Sequence, residues 1–355
     1  MKKKVFKVLR YTIFLLIGVL LLYLAFRGID LEALWDEFKQ ARYIWIFLSV
    51  LVLTLSHMTR AYRWKLLIEP LNYKPLYSST FFSLMIGYLA NYAFPRIGEI
   101  TRCGALGRTE KIPMDKLFGT VIVERVIDLV TMFLFLIILI TAKFEFFSSF
   151  IKPNILDPIG NKLSFLLGKT ILYWFILIGT PLLLVILLYL FRSRLYKWPL
   201  IRKIRDIIKG VFTGLKTVST LKKVWPFIIS SLLIWIFYWF MTYIAFFALP
   251  STSNLNLIDS LFILVIGSFA FIAPVQGGIG AFHWIVSGGL LLYGLTKEEG
   301  LAYATITHGS QMLGTILIGS ISMLLLISIR KKRNIKQHEH PEKHTGEDPS
   351  GKQAQ

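Results

Sequence analysis

Six charged residues sit in or beside stretches of this chain that are otherwise apolar: Arg96, Glu99, Arg102, Glu124, Arg125 and Asp128. The first three follow Asn91-Tyr92-Ala93-Phe94-Pro95, and the last three interrupt the run Phe118–Ala142. A charge at membrane depth is costly, so such residues face a bundle interior or a watery cavity and mark a pathway or a site. Arginine presents a planar two-pronged donor that matches phosphate oxygens. On that chemistry Arg96 and Arg102 are assigned to phosphate contact, with Glu99 and Asp128 orienting them. Glu124 and Asp128 are four apart and share a helix face, while Arg125–Asp128 and Glu99–Arg102 have pairing distance of three. The six charges also sum to zero. The same residues would therefore serve as a self-neutralising buried network that only locks two segments together, and the sequence leaves both readings open.

A second break, Pro274-Val275-Gln276-Gly277-Gly278-Ile279-Gly280, interrupts another apolar stretch. Gln276, Gly277, Gly278 and Gly280 form an uncharged tip where glycine permits a sharp turn and close backbone approach. Plain packing of a helical hairpin would use the same residues. Helices starting after Pro95 and Gly280 would aim N–H groups and positive dipole ends at the tips. His283, just past the second tip, and His308 with Gln311 in the last apolar run either relay protons or hydrogen-bond neighbouring helices.

These residues need a membrane scaffold to hold them. Of 355 residues, 55% are hydrophobic and 17% charged, with a mean hydropathy of +0.62. Several apolar runs reach the ~20 residues that cross the hydrocarbon layer. The fold class is all-α, a polytopic membrane helical bundle; the runs are continuous rather than alternating, which argues against a β-barrel. The net charge of +20 gathers at helix ends and in loops, where it orients helices and meets anionic headgroups, so nucleic acid is not an expected partner. Cys103 is the only cysteine, leaving no intrachain disulfide and no cysteine metal site.

In chain order, Val8–Phe26 reads as a retained anchor behind Lys2-Lys3-Lys4. Arg27–Arg42 is a short acid-rich outer loop with an interfacial helix marked by Leu31, Leu34, Trp35 and Phe38. Tyr43–Thr59 returns inward, and Arg60-Ala61-Tyr62-Arg63-Trp64-Lys65 reads first as a boundary anchor of basic and aromatic residues. Ser78–Phe94 with its charged return limb to Arg108 is a re-entrant hairpin. This keeps the later loop Arg192–Trp225, with ten Lys or Arg, on the cytoplasmic side. Phe118–Ala142 and Ile171–Phe191 cross, and Pro199–Lys222 has the basic and apolar faces of a helix lying in the interface. Pro226–Leu249 crosses, Leu257–Leu295 makes a second hairpin from the opposite face, and Leu301–Ile329 is the last span. The expected total is six full spans and two opposed hairpins, the pattern of an inverted repeat around a midplane site. Residues 1–330 form the membrane domain and 331–355 a disordered cytoplasmic tail. Its His338, His340 and His344 have no fixed geometry for a metal, and no metal or cofactor is expected.

With these residues in hand, the chain resembles the transmembrane flippase-like domain of lysylphosphatidylglycerol synthases, in its stand-alone form. The resemblance rests on Asn91…Pro95-Arg96-Ile97-Gly98-Glu99…Arg102, Glu124-Arg125…Asp128 and Pro274-Val275-Gln276-Gly277-Gly278-Ile279-Gly280, and covers roughly residues 5–330. It departs from the family pattern at Pro95-Arg96, where Pro-Gly is usual, and at Val275-Gln276, which precede Gly277-Gly278. The resemblance implies an inner-membrane transporter of an anionic phospholipid or polyprenyl-phosphate-linked lipid, with both termini cytoplasmic and no enzymatic activity. A lipid-modifying enzyme of the polyprenyl-linked glycosyltransferase kind, for which Asp36-Glu37 in the outer loop would be the carboxylates, and an accessory scaffold are the alternatives. No sequence feature assigns an oligomeric state.

Overall fold

The computed structural model describes residues 2–95, 97–145, 218, 221–271, 273 and 275–339. Among them every regular element is helical. The expected span Ile171–Phe191 and nearly all of the expected interfacial helix Pro199–Lys222 lie outside the described residues.

Helix α1 (Lys2–Phe26) is followed, after a bend of 89°, by α2 (Leu31–Gln40). Asp30 caps α2, accepting from the backbone N–H of Glu32 and Ala33. The bend and the pattern of one buried Leu34 between exposed Leu31 and Trp35 agree with a helix lying across the bundle end.

Helix α3 runs from Tyr43 to Ile68, nine residues past the expected end at Thr59. Nothing between Thr59 and Pro70 breaks it, and the basic residues taken for a boundary anchor are inside: Arg60 and Arg63 are 5% and 0% exposed. They have carboxylate partners there, which removes the reason to stop the helix at the headgroups.

Helices α4 (Tyr77–Ala93) and α5 (Gly98–Glu110) form the first hairpin. They touch through Gly87 and Gly98. A Cβ at Gly98 would run into the Gly87 carbonyl oxygen and the Asn91 amide. Asn91 Oδ1 instead accepts the Gly98 N–H at 2.7 Å, satisfying one of the open donors at the start of α5.

Helix α6 (Met114–Ala142) carries the three charges Glu124, Arg125 and Asp128. Helix α7 (Val224–Phe246) lies along α3, tied by Ser49 Oγ to the Met241 carbonyl at 3.0 Å and Ser56 Oγ to the Ile234 carbonyl at 3.2 Å. The second hairpin is α8 (Leu257–Ala270), a 3-10 turn at Gln276–Gly278, and α9 (Ala281–Leu291). Asn256 and Asp259 make a capping box at the head of α8.

Helix α10 runs from Lys297 to Glu339. It passes the expected boundary at 330 because residues 331–339 hold no helix breaker and the next proline is Pro341. His338 therefore stands on the helix, while His340 and His344 lie outside the described residues. By length and composition α3, α7 and α10 each suffice to cross a membrane, and the bent α1–α2 pair makes a fourth candidate.

Candidate functional site

The site is built where α3, α5 and α6 converge. Arg60 and Arg63, three apart, project from one face of α3, and Glu124 and Asp128, four apart, from the facing side of α6. Arg60 Nη1 meets Asp128 Oδ2 at 2.5 Å, and Arg63 Nη2 meets Asp128 Oδ1 at 2.7 Å and Glu124 Oε1 at 3.3 Å. Arg102 from α5 closes the chain onto Glu124 Oε2 at 2.6 Å. Its guanidinium lies over the Trp64 ring at 4.7 Å, and the Trp64 indole N–H donates to Thr120 Oγ1 at 2.8 Å. The pairing expected between Glu99 and Arg102 does not form: Arg102 turns inward, and Glu99 pairs with Arg125 at 3.1 Å. Arg125 approaches Asp128 only to 4.0 Å.

Counting the two α3 arginines changes the electrostatics. The described network holds four arginines against three carboxylates, so one positive charge is in excess. Burial of such charges is tolerable only when each is paired and hydrogen-bonded. Even so, Arg60 Nε, Arg63 Nε, and Arg102 Nε and Nη1 are buried with no hydrogen-bond partner. The signal for Arg60 and Arg63 was present in the sequence. They are three apart beside Trp64, on an apolar run that continues with no helix breaker until Pro70.

Beside the network lies a cavity of about 610 Å³. Arg60, Glu99, Arg125 and Asp128 give it a charged wall; His57, Tyr88, Trp235 and Tyr238 continue that wall, and Phe271, Phe282 and Tyr303 line it from the other hairpin and α10. Both breaks reach it: Asn91, Tyr92 and Pro95 from the first, Gly277 and Gly278 from the second. The tips touch each other. Gly277 has φ +58, and a Cβ there would enter the Tyr92 ring, while Tyr92 is hydrogen-bonded to Thr315 of α10.

The structure thus brings together Glu99, Arg125, Asp128, Gly277 and Gly278. Arg102 and Glu124 sit behind the cavity wall, 2% and 0% exposed. Gln276 and Gly280 do not line the cavity; Gly280 packs against the Gly18 carbonyl of α1 instead. Arg96 lies outside the described residues. His283 and His308 stack at 5.2 Å beyond the second tip, and Gln311 lines the cavity. At the outer loop Asp36 pairs with Lys39 at 3.0 Å, whereas Glu37 accepts from Ser251 Oγ at 3.1 Å. Partial burial raises the Glu37 carboxyl above its usual range, the Ser251 hydrogen bond offsetting part of that. These two carboxylates serve different partners.

The sequence matches the lysylphosphatidylglycerol synthase TM region over residues 11–319. The chain belongs to that family. The matched region contains the whole ionic network and both tips. A UPF0104 membrane protein of Methanocaldococcus jannaschii is 28% identical over 148 residues, 41% of this chain and 40% of that relative. The match therefore spans less than half of either protein. No solved structure matches the chain.

Proposed function

We propose that this protein carries an anionic lipid, a phospholipid or a polyprenyl-phosphate-linked lipid, between the leaflets of the cell's inner membrane. The observation that supports this most is an ionic network with one positive charge in excess, two of whose arginines, Arg60 and Arg125, line a cavity reached by both helix breaks. A phosphate would meet Arg125, whose side chain is 48% exposed, and the Arg60 guanidinium beside it. Arg96, at the tip of the first break, is placed by the sequence to receive the headgroup. Arg102, Glu124 and Arg63 hold α3, α5 and α6 in register behind it, so in this reading Arg102 is a positioning residue and not a phosphate contact.

In the same reading six helices cross fully and the two hairpins dip from opposite faces, with both termini cytoplasmic. Non-helical backbone at that depth is tolerable because it lines a cavity. Alternating access follows from rocking one hairpin and its supporting helices against the other.

A leaflet-asymmetry assay in proteoliposomes tests the reading. Arg125→Ala and Arg96→Ala, each at wild-type expression and monodispersity, are expected to lower lipid movement at least tenfold. Wild-type rates in both variants would refute it.

A further inference from the structure

On the side of α5 turned away from the ionic network lies a second hollow, of about 560 Å³, which shares no lining residue with the central cavity. Its walls are α5 and the later part of α10. Along α5, Ile100, Gly104 and Arg108 follow at intervals of four and line it together; along α10, Met323, Ile327 and Arg330 do the same at intervals of four and three. Each wall reads apolar first and ends in an arginine.

The two arginines fall at the same end. Helix α4 runs antiparallel to α5, with Gly87 against Gly98 and Arg102, and antiparallel to α10, with Met85 and Leu89 against Gly319 and Tyr92 bonded to Thr315. Helices α5 and α10 are therefore parallel to each other. Ile100, Met323 and Ile327 are 50%, 44% and 59% exposed, so the walls face the surroundings of the bundle, which in a membrane protein are acyl chains. Among the described residues neither Arg108 nor Arg330 has a carboxylate partner.

We propose that this groove holds one anionic phospholipid, separate from the cargo of the central cavity. Its phosphate sits between Arg108 and Arg330, which supply charge-assisted and forked hydrogen bonds. One acyl chain lies along Ile100, Gly104, Met323 and Ile327. Gly104 keeps the groove open: a Cβ there meets nothing within 4 Å, so a larger side chain at that position fills the groove without disturbing the helix. The site requires only that the chain be in a membrane, and it stands whether or not the protein transports lipid.

Native mass spectrometry of the full-length protein, titrated in detergent with phosphatidylglycerol or phosphatidylcholine, tests the site. Wild-type protein is expected to retain one phosphatidylglycerol with at least fivefold preference over phosphatidylcholine. The Arg108→Ala/Arg330→Ala double variant and Gly104→Leu are each expected to lose that bound lipid at least fivefold. Arg125→Ala, at a residue that lines the central cavity and not the groove, is expected to keep it. Retention of phosphatidylglycerol at wild-type occupancy in either groove variant, loss of the lipid in Arg125→Ala, or equal binding of phosphatidylcholine would overturn the proposal.

Discussion

The break between α4 and α5 and the break between α8 and α9 meet at one cavity but are held in place by different means. Side chains hold the first. Asn91 clasps the Gly98 N–H, Arg102 runs back to Glu124, and Glu99 ties to Arg125. The second break carries no charge. Gly277, at positive φ, fits against the Tyr92 ring, and Gly278 against Phe271 and His308. One tip is fixed by directional, costly-to-break ionic bonds and the other by close packing, with one long hydrogen bond from the Gly280 N–H to His283 Nδ1 at 3.4 Å. In the proposed carrier the charged tip would be the stationary wall and the glycine tip the moving one, since sliding a close contact strands no buried charge.

That contrast can be broken first at Asp128, where the largest effect is expected. Asp128→Ala leaves Arg60 without its carboxylate, holding only a 3.4 Å hydrogen bond to Tyr238, and Arg63 with Glu124 at 3.3 Å and Ser231 at 3.4 Å. Removing one partner of a buried ion pair costs about 3–5 kcal/mol. The variant should lose most of its monodisperse peak in fluorescence-detected size exclusion; a wild-type profile would show that the network does not hold the first tip.

Next comes the glycine tip. Gly277→Val combines a strained backbone with a clash at Tyr92 and should cost about 1–3 kcal/mol, read as a lowered thermal midpoint. Adding Tyr92→Ala should recover the part due to the clash, because contacting residues are not additive. Strict additivity in the double-mutant cycle would mean that the tips do not touch.

Arg125→Ala is smaller still in stability, under about 1 kcal/mol for so accessible a pair, and its effect should appear in lipid movement. Equal losses of stability in Arg125→Ala and Asp128→Ala would erase the distinction between an open wall and a buried brace. Lys223→Ala removes an exposed contact to Glu69 at 2.8 Å, far from either tip, and no change in thermal midpoint or salt dependence is expected.

Much of this arrangement was legible in residue order. Continuous apolar runs gave helices, and Pro95 with Gly98 and Gly277 with Gly280 marked the breaks. The four-residue spacing of Glu124 and Asp128 correctly set them on one face. What spacing could not show was partnership across helices. Arg60 and Arg63 looked like headgroup anchors because basic and aromatic residues near a helix end usually are, and their carboxylates lie more than 60 positions away along the chain. Arg102 reads from the sequence as a phosphate contact oriented by Glu99, three residues away, whereas packing of α5 on α4 through Gly87 and Gly98 turns it toward Glu124. Local pattern fixes which face a residue occupies; only the tertiary contacts decide what that face meets.

Asp128 offers one carboxylate to guanidinium groups on two helices, Arg60 and Arg63 from α3 and, more distantly, Arg125 from its own. For a carrier of anions this makes it a resident stand-in for the cargo. In the proposed carrier an arriving phosphate would displace one carboxylate oxygen from an arginine, and on its departure that oxygen would return. The unloaded carrier would then make its return stroke with Arg60 and Arg63 still matched by Asp128, and would need no borrowed ion for those two groups.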